Sequence, residues 1–188
     1  MNAKKLVFAI GFSALMLSGA EPAAAAQAEN LVKDGDFSQK QSSPKAFGKW
    51  WLGNLPKDCK AAYDTKDFKS QPQSFCLESA GNTIALRQTL PALKPNTKYK
   101  ITFFMKMENV VLKGKYGGAR LNIYSDRNHW CPATKFVTGT QPWTPYETVF
   151  TAGPNTNTDA KRSAYMLLYL MNASGKVWFD DVRLTEVK

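Results

Sequence analysis

The chain is short of the side chains that carry most hydrolytic, metal-dependent and redox chemistry. It holds one histidine, three cysteines and 15 acidic residues against 25 basic ones in 188 residues. With a single histidine and no C-x-x-C pair, the usual zinc-ligand spacings cannot be assembled. Gly-x-Ser-x-Gly, His-Glu-x-x-His and phosphate-loop patterns are absent, which excludes the nucleophile elbow, the zincin helix and the nucleotide cradle. No apolar run reaches the roughly 20 residues that a membrane-spanning helix needs. Beyond the first 28 residues, no segment sustains a helical period.

What is present begins with an export leader. Lys4 and Lys5 precede an apolar run over residues 6–17, and the stretch AAAAQA offers A-x-A cleavage sites after Ala26 or Ala28. Residues 1–28 are therefore assigned to the leader and 29–188 to one mature domain, secreted or periplasmic. Roughly 160 residues suffice for one domain with a sizeable core. The formal charge is +10, and losing the leader leaves about +9. That excess biases the surface towards anionic partners such as an acidic polysaccharide or the cell envelope. Nucleic acid is not expected, since the protein is exported and no basic helix or stacked aromatic reader is visible. In an oxidising compartment two of the three cysteines can pair. Cys59 and Cys76 flank a hairpin with the turn KDFKSQPQ and form the expected bridge, with Cys76–Cys131 as the rival.

Short runs rich in Val, Ile, Phe, Tyr and Thr alternate with turn clusters every 8–15 residues, the pattern of a β-sandwich. In TKYKITFFMKME, Tyr99, Ile101, Phe103, Met105 and Met107 share one face, with Thr102, Phe104 and Lys106 on the other. A loop, LKGKYGG, leads to ARLNIYSD, where Ala119, Leu121 and Ile123 alternate with Arg120, Asn122 and Tyr124. The two runs read as a hairpin. Further strands are expected at NLVKDGDF, GKWWLG, AAYDT, QSFCLES, TIALRQTL, PYETVFTA, SAYMLLYLMN and KVWFDDVRLTEV, about ten in all. SAYMLLYLMN is apolar on both faces, so it lies in a sheet interior, covered on both sides or beneath a ligand groove. Asp180 and Asp181 break the alternation of the last strand, which indicates a bulge or a metal contact.

The ordered set NLVKDGDF, Trp50–Trp51, LRQTL-PALKPNTKYKITFFMK, GTQPWTPYETVFTA and KVWFDDVRL resembles the carbohydrate-binding modules of families 4, 9, 16 and 22. The resemblance covers nearly all of the mature chain. It implies an all-β fold, a two-sheet antiparallel jelly-roll sandwich of the galactose-binding-like kind, with its first and last strands close in space. It also implies a structural calcium ion, for which Asp36 and Asp180 stand at matching positions. The acidic residue usual after the Phe of the first motif is Ser38 here.

Sugars are held by aromatic faces against ring C–H groups and by planar polar side chains on hydroxyls. The resemblance points to the solvent face of one sheet. On the alternation above, Phe104, Arg120, Asn122 and Tyr124 project from adjacent strands, with Lys106 beside them. Trp178 also points away from the core, Trp130 and His129 stand at a rim, and Tyr116 lies on the neighbouring loop. Arg120 suits a uronate carboxylate or a hydroxyl pair. Trp51 and Trp143 are expected as core or edge packing. The function expected is non-catalytic binding of a polysaccharide or envelope glycan, with an acidic one favoured. Two alternatives stand beside it: a small jelly-roll polysaccharide lyase built on Arg120, Asn122, Tyr124 and His129, and an adhesion or envelope scaffold without sugar binding.

Overall fold

A computed structural model describes residues 28–124, 130–132, 134–153 and 164–188. Residues 1–27, including the first candidate cleavage site, and His129 lie outside the described residues. Among the described residues there are twelve strands and no helix. They are β1 (Gln41–Ser43), β2 (Ala46–Phe47), β3 (Trp50–Leu52), β4 (Cys59–Asp64), β5 (Ser74–Ala80), β6 (Ile84–Thr89), β7 (Lys98–Leu112), β8 (Gly118–Tyr124), β9 (Trp130–Pro132), β10 (Gly139–Thr151), β11 (Tyr165–Met171) and β12 (Ala173–Glu186). One sheet runs β1-β2-β3-β6-β11-β8-β9 and the other β10-β7-β12-β5-β4, with every pairing antiparallel. This is the expected two-sheet sandwich.

The core follows from period-two alternation in each sheet. Ile84, Leu86, Leu121, Ile123, Met166, Leu168 and Leu170 face inward from the seven-stranded sheet. Phe75, Leu77, Ile101, Phe103, Met105, Val177 and Phe179 face them from the other. Phe37, Phe47, Trp50 and Phe75 close one part of the core, with Phe47 and Phe75 edge-on at 4.9 Å. The Trp50 indole Nε1 donates to the Asp34 carbonyl at 2.8 Å, so its polar atom is satisfied.

Three expectations change. Residues 30–37 are not a strand, because Asp34 and Phe37 adopt left-handed backbone (φ 54° and 52°). The segment still docks on β12: Leu31 N donates to Leu184 O, Val182 N to Gly35 O, and Leu184 N to Asn30 Oδ1, all within 2.9 Å. The two ends of the domain therefore do meet, as the resemblance implied. The register of β12 shifts between Asp180 and Arg183, and Asp181 has φ 50°, which makes the expected interruption a bulge.

Second, β7 and β8 are not a hairpin. β7 lies between β10 and β12, whereas β8 lies between β11 and β9 in the opposite sheet. The Gly-Gly pair is the corner between sheets. Gly117 passes so close to the Met171 carbonyl that a Cβ would collide with it, and Gly118 likewise meets the Val137 carbonyl.

Third, the expected Cys59–Cys76 bridge is not formed. Cys59 pairs opposite Ser79 and Cys76 opposite Ala62. The hairpin turns later than the midpoint of the two cysteines, so they fall on opposite faces, Cys59 towards the core and Cys76 outward. Cys131, the rival partner, sits opposite Ile123 in the other sheet.

Candidate functional site

The outer face of the seven-stranded sheet is assembled by register. On β8, the inward Leu121 and Ile123 oblige Arg120, Asn122 and Tyr124 to point outward. On the neighbouring β11, Tyr165 lies opposite Tyr124, Leu167 opposite Asn122 and Tyr169 opposite Arg120. On β6, Arg87 lies opposite Leu167, and on β3 Trp51 lies opposite Arg87. On the far side Trp130 of β9 lies opposite Tyr124. Cross-strand rows therefore run from Trp51 through Arg87, Leu167 and Asn122, and from Tyr165 through Tyr124 to Trp130. Strands stand about 4.8 Å apart, so the four steps from Trp51 to Trp130 span roughly 19 Å.

These side chains order one another. The Tyr124 and Tyr165 rings stack at 4.6 Å and 10°, and the Arg87 guanidinium covers Tyr165 at 4.3 Å. The Arg120 guanidinium lies over Trp130 at 4.5 Å and over Phe136 at 4.3 Å, and its Nε donates to Asn122 Oδ1 at 2.5 Å. Burial lowers the pKa of Arg120 from its ordinary value. Burial, with Tyr124 close by, pushes the Tyr169 hydroxyl well above the usual phenol range. Trp51 and Trp130 mark the two sides, exposed to 52% and 49%. Next to Trp51 and Arg87 a groove of about 550 Å³ is also lined by Lys33, Lys49, Gln88 and Thr89. Gln88 is buried and satisfied, exchanging two hydrogen bonds with the Lys33 backbone. None of the twelve carboxylates among the described residues belongs to a strand of this sheet.

Four of the expected ligand residues, Arg120, Asn122, Tyr124 and Trp130, thus come together. Phe104 and Trp178 do not join them. Both lie on the outer face of the five-stranded sheet, because β7 and β12 belong there. Residues 65–73 cross that face near Trp178, whereas Phe104 stays half-buried and lines a separate groove with Pro145, Tyr146 and Arg183. Asp180 Oδ2 accepts the backbone N–H groups of Lys69 and Ser70, both at 2.8 Å, and the Ser70 hydroxyl binds Asp181. Asp67 binds Lys106 and accepts from Trp143 Nε1, while Asp64 accepts from Trp178 Nε1 at 2.9 Å. Lys69 sits over the Phe104 ring. Trp178 is left 5% exposed, which removes it as a sugar platform. Trp143 is half-buried on this face and does not plug the core.

The two carboxylates expected to hold calcium have hydrogen-bond partners within the protein. Asp180 is fully buried and its carboxylate is occupied by three backbone N–H donors, including that of Asp181 at 2.8 Å. Asp36 is exposed and accepts from Ser38. Among the described residues no three acidic, histidine or cysteine side chains converge as a metal site. Sequence reasoning missed Trp51, Arg87, Tyr165 and Tyr169. A signal existed for Trp51: of two adjacent tryptophans in a strand, one must face outward.

No protein-family model matches the sequence, and no curated protein matches it. Solved structures do match. The CBM22-1 xylan-binding domain of Paenibacillus barcinonensis Xyn10C superposes with a TM-score of 0.59 at 13% identity, over 88% of this chain and 99% of that one. A family 61 carbohydrate-binding module in complex with β-1,4-galactotriose does so at 0.53 and 15%, over 85% and 99%. The fold is the jelly roll of carbohydrate-binding modules. This module architecture is not confined to binders. A cyclase from Fischerella sp. TAU matches at 0.57 and 17%, over 86% of this chain and 98% of that one. The enzymatically active domain of tailspike protein 4 from bacteriophage CBA120 matches at 0.55 and 13%, over 84% of this chain. This chain spans 21% of that domain's length. At these identities the likeness is one of fold.

Proposed function

We propose that the protein is an exported, non-catalytic glycan-binding module that holds an acidic polysaccharide across the outer face of its seven-stranded sheet. The observation that carries this reading is the face on which Trp51, Arg87, Tyr165, Tyr124, Asn122 and Trp130 share adjoining rows, with no carboxylate on its strands among the described residues. Aromatic surface and planar polar groups in that arrangement suit pyranose rings and their hydroxyls. Arg87, Lys33 and Lys49 give one end of the face a positive potential that favours an acidic polymer. The module-type neighbours support a polysaccharide ligand, and the leader over residues 1–28 supports export. A lyase on this face would need a base near Arg120. Burial raises the Tyr169 hydroxyl, which disfavours that tyrosine in the role; Tyr124 and His129, the residues expected for it, are tested by the assay for product.

Affinity electrophoresis against neutral, uronic-acid and sulfated polymers tests the reading. Binding is expected to at least one polymer and to weaken in Tyr165→Ala, with no unsaturated product appearing in ultraviolet absorbance. Formation of that product establishes the lyase. Absence of binding to every polymer leaves the scaffold.

A further inference from the structure

The Arg120 guanidinium is the most unusual group on this face. Its side chain is 6% exposed, and among the described residues no carboxylate pairs with it. A buried charge without a counter-charge costs several kcal/mol. Two aromatic rings and one amide oxygen offset part of that cost. The same contacts decide what the guanidinium can still do. Stacking on Trp130 and Phe136 occupies its faces, and Asn122 occupies Nε. The two terminal nitrogens form an in-plane fork beside these rings, and among the described residues neither donates a hydrogen bond. A planar carboxylate matches such a fork through two parallel N–H···O bonds. A tetrahedral sulfate matches a planar fork less closely than a carboxylate does, and a neutral hydroxyl brings no charge to compensate.

We infer that the face selects glycans containing uronic acid, and that Arg120 reads one uronate carboxylate end-on through its two terminal nitrogens. The inference rests on the reading of this face as a glycan site. Arg87 plays a different part. Its guanidinium covers Tyr165 near the end of the interior strand β6, exposed and beside Lys33 and Lys49. It supplies attraction to any polyanion, without the geometric restriction. Arg120 therefore sets the specificity and the Arg87 end sets the overall charge preference.

The experiment compares three polymers on one backbone by isothermal titration: a polyuronate, its carboxyl-reduced neutral counterpart, and the sulfated derivative of that neutral polymer. The wild-type protein is expected to bind the polyuronate at least about tenfold more tightly than either of the others, a difference near 1.4 kcal/mol. Arg120→Lys keeps the charge but loses the fork, and should bring polyuronate affinity down to that of the sulfated polymer, which the Arg87 end still attracts, in a variant that circular dichroism shows to be folded. Equal affinity for the polyuronate and its reduced form overturns the inference while the glycan reading stands. So does a sulfated polymer bound as tightly as the polyuronate, or an Arg120→Lys protein that binds the polyuronate like wild type. Failure to bind all three removes the glycan reading, and this inference with it. If Arg120→Lys does not fold, the three-polymer comparison on the wild-type protein decides alone.

Discussion

Asp180 gives the sharpest thermodynamic test of the structure. Its carboxyl is fully buried, and burial pushes its pKa up to about 6 from the ordinary 3.8, against the opposing pull of the Ser70, Lys69 and Asp181 N–H groups. The folded protein therefore takes up this proton at a higher pH than the unfolded chain does. Above pH 6 both states carry the charge, and the fold bears the desolvation of it, on the order of 3 kcal/mol. As pH falls from 6 towards 4 the folded state becomes neutral first, and that cost disappears. Wild-type stability relative to Asp180→Asn, which stays neutral throughout, should rise by up to about 3 kcal/mol between pH 7 and pH 4. Urea unfolding followed by tryptophan fluorescence at several pH values measures the difference, and referring it to the Asn variant cancels the other carboxylates. If the N–H bonds outweighed burial, the sign would reverse and the relative stability would fall with acid. A flat or falling difference refutes the account of the buried carboxylate.

Three further outcomes follow from the same geometry. Trp51→Ala should weaken polysaccharide binding about tenfold, the scale of one lost aromatic contact, and leave the melting temperature within about 1 °C because the ring is exposed; titration and calorimetry check both. Trp178→Ala removes a ring packed beneath residues 65–73 and should cost about 3 kcal/mol in urea unfolding while glycan affinity stays at the wild-type value. Adding a reductant should leave the thermal midpoint unchanged, because Cys59 and Cys76 stand on opposite faces; a bridge would contribute about 2–4 kcal/mol, and its reduction would lower the midpoint by several degrees.

Local alternation carried most of the fold. Strands β4 to β8 and β10 to β12 all lie where runs of apolar and β-branched residues put them. The two-sided apolar character of residues 163–172 correctly placed β11 in a sheet interior beneath the face that carries Tyr165 and Tyr169. Alternation tells which side of a strand is buried, but not which sheet it joins. Strands β7 and β8 bury the same kind of face whether they pair with each other or oppose each other across the core, so Phe104 was grouped with Arg120 although the two face opposite sides of the molecule. The covering of Trp178 was illegible for another reason. It depends on a carboxylate at position 180 finding backbone N–H groups at 69 and 70, a partnership more than a hundred residues apart with no local pattern. The short β1, β2 and β9 lie in stretches whose Pro, Lys and Ser content reads as loop.

The docking of residues 30–35 on β12 has a mechanical consequence. Because the two ends of the domain lie side by side, tension applied through them does not cross the sandwich. It peels one short segment away from one strand, against the three hydrogen bonds that join Leu31, Leu184, Asn30, Gly35 and Val182. Those bonds are loaded one after another, the geometry in which hydrogen bonds resist least. Under pull, the attachment point would yield early while the two sheets, and the face that carries Arg120, stayed intact.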